Sequence, residues 1–137
     1  MVHALRSVHQ LLRPSGVLID IRPLDERAEF LVAAGGQEHH AGWMQETDGG
    51  IEYPLAEAAL NTARARGLFT LQAERSFQFQ HHARSFAALR AYLVDTWSDA
   101  LISPAIETEV ERLLREAGPR AEVVLRETGW MRRLTVC

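Results

Sequence analysis

Residues 4–21, ALRSVHQLLRPSGVLIDI, hold the transition on which the fold turns. Leu5, Val8, Leu11 and Leu12 recur at helical spacing, with Arg6, His9, Gln10 and Arg13 opposite them, so residues 1–13 read as an amphipathic helix. Pro14-Ser15-Gly16 stops it. The unbroken apolar run Val17-Leu18-Ile19-Asp20-Ile21 then reads as a strand covered on both faces, ended by Pro23.

Working outward, residues 28–34 and 39–46 read as two strands of a hairpin turned at Gly35-Gly36, and Asp48-Gly49-Gly50 as the next turn. Residues 52–66 read as a helix with Leu55, Ala59, Leu60 and Ala63 on one face and Gly67 as its stop. In residues 69–79, Phe69, Leu71, Ala73, Phe77 and Phe79 alternate with polar neighbours, the pattern of a half-buried strand in an antiparallel pair. Ser85 is placed to cap a helix carrying Phe86, Leu89, Leu93 and Trp97. Ser103-Pro104 opens another, with Ile106, Val110, Leu113 and Leu114 inward and Gly118-Pro119 at its end. Strands at 121–126 and 130–136, about a turn at Thr128-Gly129, close the chain as a second hairpin. The economical arrangement is α+β: a mixed, largely antiparallel sheet of about five to six strands with helices packed on it. At 137 residues, the chain is expected to form one domain over 1–137.

Composition narrows the function classes. Hydrophobic residues are 47% and charged residues 24%, a globular balance. The formal charge of −3 argues against nucleic acid as a partner, since phosphate binding wants a basic face. Every basic residue is Arg, a side chain suited to bidentate contact with carboxylates. Cys137 is the one cysteine, which excludes an internal disulfide and fits a reduced, cytoplasmic setting. No apolar run approaches the length of a membrane helix, so no membrane partner is expected.

The block Ala4 to Asp20, with Leu12-Arg13-Pro14-Ser15-Gly16 at its centre, resembles a stretch of class I S-adenosylmethionine-dependent methyltransferases. There an amphipathic helix ends in a Leu-Arg/Lys-Pro-Gly-Gly turn and leads into the fifth strand; Ser15 replaces the first glycine. The resemblance implies the C-terminal portion of that fold, half of its sheet, with the closing hairpin 121–136 as the last two strands and the 28–46 hairpin as an addition. It also implies that the cofactor-binding half is missing. No Gly-x-Gly-x-Gly follows an expected strand, and no acidic residue is placed to hold a ribose. No cofactor-binding or catalytic residue is therefore assigned, and no cofactor is expected. The expected function is a methyltransferase-like binding or assembly module without its own S-adenosylmethionine site. One alternative is the C-terminal piece of a split or truncated enzyme, completed by a separate N-terminal half. Another is a small-ligand-binding pocket protein.

A half-sheet leaves one edge of the strand at 17–21 unpaired, an exposed liability. Either the 28–46 hairpin covers it, or two chains join through it as a homodimer.

Asp20 and Arg22 stand where the carboxyl end of a strand would face a ligand crevice, with Asp25 and Glu26 following; a salt-bridged loop is the plainer alternative. Arg75 breaks an apolar face. If buried it needs a carboxylate or an anionic ligand; if that face turns to solvent it needs neither, and Glu122 or Glu127 could pair with it. His39, His40, His81 and His82 are the metal candidates. Neighbours in a strand point to opposite faces, so each pair offers one ligand, and polar strand ends are the plainer reading. The aromatics Trp43, Tyr53, Phe77, Phe79, Tyr92, Trp97 and Trp130 could line a small-molecule cavity, but core packing accounts for most of them, with Trp43 and Trp130 candidates for an interface.

Overall fold

Two glycine-borne turns set the geometry of the middle of the chain. Gly35 and Gly36 sit at φ +60° and +81°, which only glycine adopts freely, and they join β2 (Glu29–Ala34) to β3 (Gln37–Trp43) as a hairpin. Gly67, at φ +70°, ends α2 (Glu52–Ala65): Leu68 N–H donates to Ala63 C=O and Gly67 N–H to Arg64 C=O, closing the helix's last turn.

The computed structural model describes all residues except Asp25 and Asp48; the turn expected at Asp48-Gly49-Gly50 therefore lies partly outside the described residues. The described residues form four helices and seven strands, an α+β fold in which every recorded strand pairing is antiparallel. None of the helices is long and apolar enough to cross a membrane.

The chain divides into two compact units interleaved in sequence. The first contains Met1–Asp25, Gly50–Phe77 and Thr128–Cys137. Its helices are α1 (Val2–Leu11) and α2, and its strands are β1 (Val17–Pro23), the start of β5 (Phe69–Ala83) and the end of β7 (Glu122–Val136). β1 pairs with β7 from Val17↔Thr135 to Pro23↔Gly129. Leu60, Ala63, Phe69 and Leu134 form the buried centre, with Leu5, Val8, Leu12 and Leu18 packed around it. Both helices thus lie on the sheet face that carries Leu18 and Leu134. Each fully buried side chain contributes about 1.5–3 kcal/mol, and Leu11, exposed on α1, contributes none of this.

The second unit contains Glu26–Gly49 and Gln78–Glu127. Here β2 pairs with β3 and with the first part of β7. Phe30 and Val32 of β2 and Val123 and Leu125 of β7 pack against α3 (Phe86–Thr96) and α4 (Pro104–Ala117). Ser85 and Ser103 cap these helices by accepting from Ala88 N–H and Ile106 N–H. The short strands β4 (Gln45–Glu46) and β6 (Ala100–Leu101) pair separately, beside the bond from Trp97 Nε1 to Glu46.

Four expectations about the strands are corrected. First, residues 121–136 are not a hairpin but one fifteen-residue strand, β7. Gly129 is paired within it against Pro23, and a Cβ there would stand 2.8 Å from Phe77 Cζ. The glycine admits the Phe77 ring rather than making a turn. This also removes the closing hairpin from the methyltransferase resemblance. Second, β1 is not covered on both faces. Val17, Ile19 and Ile21 are 40%, 50% and 57% exposed, because both helices lie on the opposite face. The strands buried on both faces are Phe30-Leu31-Val32 and Val123-Val124-Leu125. Third, the 28–46 hairpin does not cover the edge of β1; β2 pairs with β7 instead. Fourth, β5 is not half-buried. Phe69 is buried and Leu71 partly so, but Ala73, Phe77 and Phe79 are exposed. Of the aromatics expected largely in the core, Tyr92 and Trp97 pack partly buried against the second unit's core while Phe77 and Phe79 are exposed, and the fully buried aromatics are Phe30, Phe69 and Phe86. Leu55 likewise stays exposed on α2.

Candidate functional site

β1 and β7 place charge in register on the helix-covered face of the first unit. Asp20 lies directly opposite Arg132, and Arg22 opposite Trp130. Because alternate residues of a strand share a face, Asp20 and Arg22 point the same way, as do Trp130, Arg132 and Leu134. α2 presents Tyr53, Glu57 and Asn61 toward them.

A five-residue ion network results. Glu57 Oε2 accepts from Arg22 Nη2 at 2.6 Å and from Arg132 Nη1 at 2.5 Å. Arg22 Nε lies 3.2 Å from Asp20 Oδ2, and Arg132 Nε donates to Glu74 of β5. Asn61 Nδ2 donates to Glu57 Oε1 at 3.1 Å. The Arg132 guanidinium stands 5.5 Å from the centre of the Trp130 ring, within cation–π range. Arg132 is only 7% exposed, and such a residue is stable there only with carboxylate partners.

The network holds Glu57 and Arg132 charged. Partial burial acts to raise the Glu57 pKa, but the hydrogen bond and charge of Arg132, together with the charge of Arg22, outweigh it and hold the carboxyl below the usual glutamate value. Burial acts to lower Arg132; its bonds to Glu57 and Glu74 overcome this and push it up.

Beside the network opens a pocket of about 530 Å³. Pro23, Leu24, Pro54 and Ala58 join Tyr53 and Trp130 in its apolar wall, while Arg22, Arg132, Glu57 and Asn61 supply the polar part. Asp20 and Glu74 stand outside the lining, so the lining carries two guanidiniums against one carboxylate. The arrangement is of the kind that holds a small molecule by a flat apolar body and one anionic group.

The sequence-derived candidates separate clearly. Asp20 and Arg22 come together, inside β1 rather than after it; Asp25 lies outside the described residues. Arg75 is exposed and makes no ion pair among the described residues, while Glu122 pairs with His82 and Arg84. The buried arginine of this unit is Arg132, which interrupts the alternation Trp130, Leu134, Val136 just as Arg75 interrupts that of β5. Glu57 and Glu74 carried no local signal. Among the imidazoles, His40 Nδ1 is 2.7 Å from Glu29 Oε1, His82 Nδ1 is 3.1 Å from Glu122 Oε2, and His81 stacks on Tyr92 at 3.6 Å. His39 is exposed, and among the described residues no three His, Cys, Asp or Glu side chains are grouped to hold a metal. No family model, no curated protein and no solved structure matches the chain.

Proposed function

We propose that this chain is a non-catalytic binding module whose first unit takes a small aromatic or otherwise flat molecule bearing one anionic group. The observation that carries this reading is the pocket lined by Arg22, Arg132, Trp130 and Tyr53. Two converging guanidiniums suit a carboxylate or similar anion, and the indole and phenol rings suit a flat body. The absence of reaction is part of the proposal. The lining offers no Ser, Cys or His, and Glu57, held ionised between two arginines, is a poor general base.

On this reading the methyltransferase resemblance of residues 4–20 is one of descent, and the chain does not hold S-adenosylmethionine by itself. Isothermal titration with that cofactor is expected to give no heat of binding; stoichiometric binding would overturn this part. For the pocket, the probes are benzoate and nicotinate, with benzamide and nicotinamide as uncharged counterparts. The readout is the NMR signal of the Trp130 indole N–H, identified with Trp130→Phe. Saturable shifts are expected for the carboxylates, weakened about tenfold or more in Arg22→Gln, equivalent to one charge-assisted hydrogen bond. Equal response to the amides, or no saturation by either carboxylate, refutes the reading.

A further inference from the structure

The opposite face of the same sheet is uncovered. Exposure alternates along β1, with Val17, Ile19 and Ile21 outward. In register with them on β7 stand Arg133 opposite Ile19 and Met131 opposite Ile21. Phe77 of β5 closes over Gly129 on this side. Glu74 turns toward Arg132 and the helices, so its neighbour Arg75 points outward with Phe77. Five large apolar side chains, Val17, Ile19, Ile21, Phe77 and Met131, are thus 38–57% exposed on one face of three adjacent strands.

The charges on this face have one sign. Along β1, β5 as far as Phe77 and β7 from Thr128, the carboxylates are Asp20 and Glu74, and both belong to the network on the other side. Arg75 and Arg133 remain, exposed and without an ion pair or hydrogen bond among the described residues. A sheet face this apolar needs cover, and single-sign charge selects what covers it. A second copy docking face to face would bring four unpaired guanidiniums together. A helix is the common cover for a sheet face, and α1 and α2 already cover the other side in that way.

We propose that this face is a docking surface for an acidic amphipathic helix of another polypeptide, its apolar stripe on Val17, Ile19, Ile21, Met131 and Phe77 and its carboxylates on Arg75 and Arg133. The proposal is independent of the pocket, which opens on the opposite face.

The test uses the full chain and a fluorescently labelled helical peptide with leucines on one stripe and flanking glutamates; the same peptide with lysine for glutamate is the control. Fluorescence anisotropy is expected to show saturable binding of the acidic peptide only, falling about tenfold or more between low and high salt. Arg75→Glu/Arg133→Glu is expected to abolish it, and Ile19→Glu to weaken it strongly. Both variants alter exposed residues, so their circular dichroism should match the parent's. Arg75→Gln/Arg133→Gln should give an intermediate loss. The proposal is overturned if neither peptide binds, if both bind alike, or if the charge-reversed variant binds unchanged. It is also overturned if sedimentation shows a dimer that Met131→Glu dissociates, since a second copy then covers the face. Binding to phosphatidylserine vesicles in place of the acidic peptide overturns it in favour of a lipid surface.

Discussion

Replacing Arg132 with methionine keeps most of the side chain's volume and deletes its charge, so it isolates what the ion network contributes. The substitution removes two charge-assisted hydrogen bonds, to Glu57 and to Glu74. Such bonds contribute about 1.5–3 kcal/mol each, and breaking a buried pair costs about 3–5 kcal/mol. The carboxylate ends are 40% and 34% exposed, so water recovers part of that cost, and Glu57 keeps Arg22. A loss of about 2–3 kcal/mol at pH 7 follows, which for a chain of this size lowers Tm by roughly 8–12 °C. The pH dependence has a definite sign. Glu57 titrates lower when folded than when unfolded, so its pairing stabilises the protein above the ordinary glutamate pKa of about 4.3 and is lost as pH falls through the lower, folded value. The difference between parent and variant should therefore be full at pH 7 and shrink steadily below about pH 4. Urea unfolding followed by circular dichroism across that range measures it. A difference that does not change with pH, or one below about 0.5 kcal/mol at pH 7, refutes the account, because a surface ion pair would give no more than that.

Gly129→Ala should destabilise by about 1–3 kcal/mol through the clash with Phe77 and the Arg22 carbonyl, and Phe77→Ala should relieve part of that loss in a double-mutant cycle followed by thermal unfolding. Additive losses would show that Phe77 is not the obstruction. Ser85→Ala should cost about 1 kcal/mol by leaving Ala88 N–H without its capping oxygen, read as a lower urea midpoint; a threonine there should restore most of it. Glu127 is pushed above the usual carboxylate pKa by burial and by the nearby charge of Glu46, so its ionisation opposes folding. Glu127→Gln should therefore raise stability at pH 7 and lose that advantage as pH falls through the raised folded value to the ordinary glutamate value, a trend opposite in sign to that of the Arg132 network.

Local signals were legible wherever the residues that decide an element are neighbours in sequence. Ser85 and Ser103 cap the helices they precede, Gly35-Gly36 turns its hairpin, and the stripes Phe86, Leu89, Leu93 and Ile106, Val110, Leu113 are buried as their spacing implies. Within the ion network, Asp20 and Arg22 stand out in the sequence, because a polar pair inside an apolar strand is conspicuous by itself, and Tyr53 and Trp130 of the pocket wall are among the aromatics it offers for a cavity. Glu57 and Glu74 did not stand out, since an acidic residue on a helix or on an alternating strand is ordinary in either place.

What the sequence by itself determined is the α+β class and the helices with their stops and caps. These follow from periodicity and turn chemistry, which act over a few residues. The tertiary structure decided which faces are covered. Both helices of the first unit lie on one side of the sheet, so a run as apolar as Val17-Leu18-Ile19 has one exposed face, and Gly129, which looks like a turn, instead makes room for Phe77. It also decided that Arg132 meets Asp20, Glu57 and Glu74, residues up to 112 positions away along the chain, because strand register and helix packing, not local spacing, bring such charges within bonding distance.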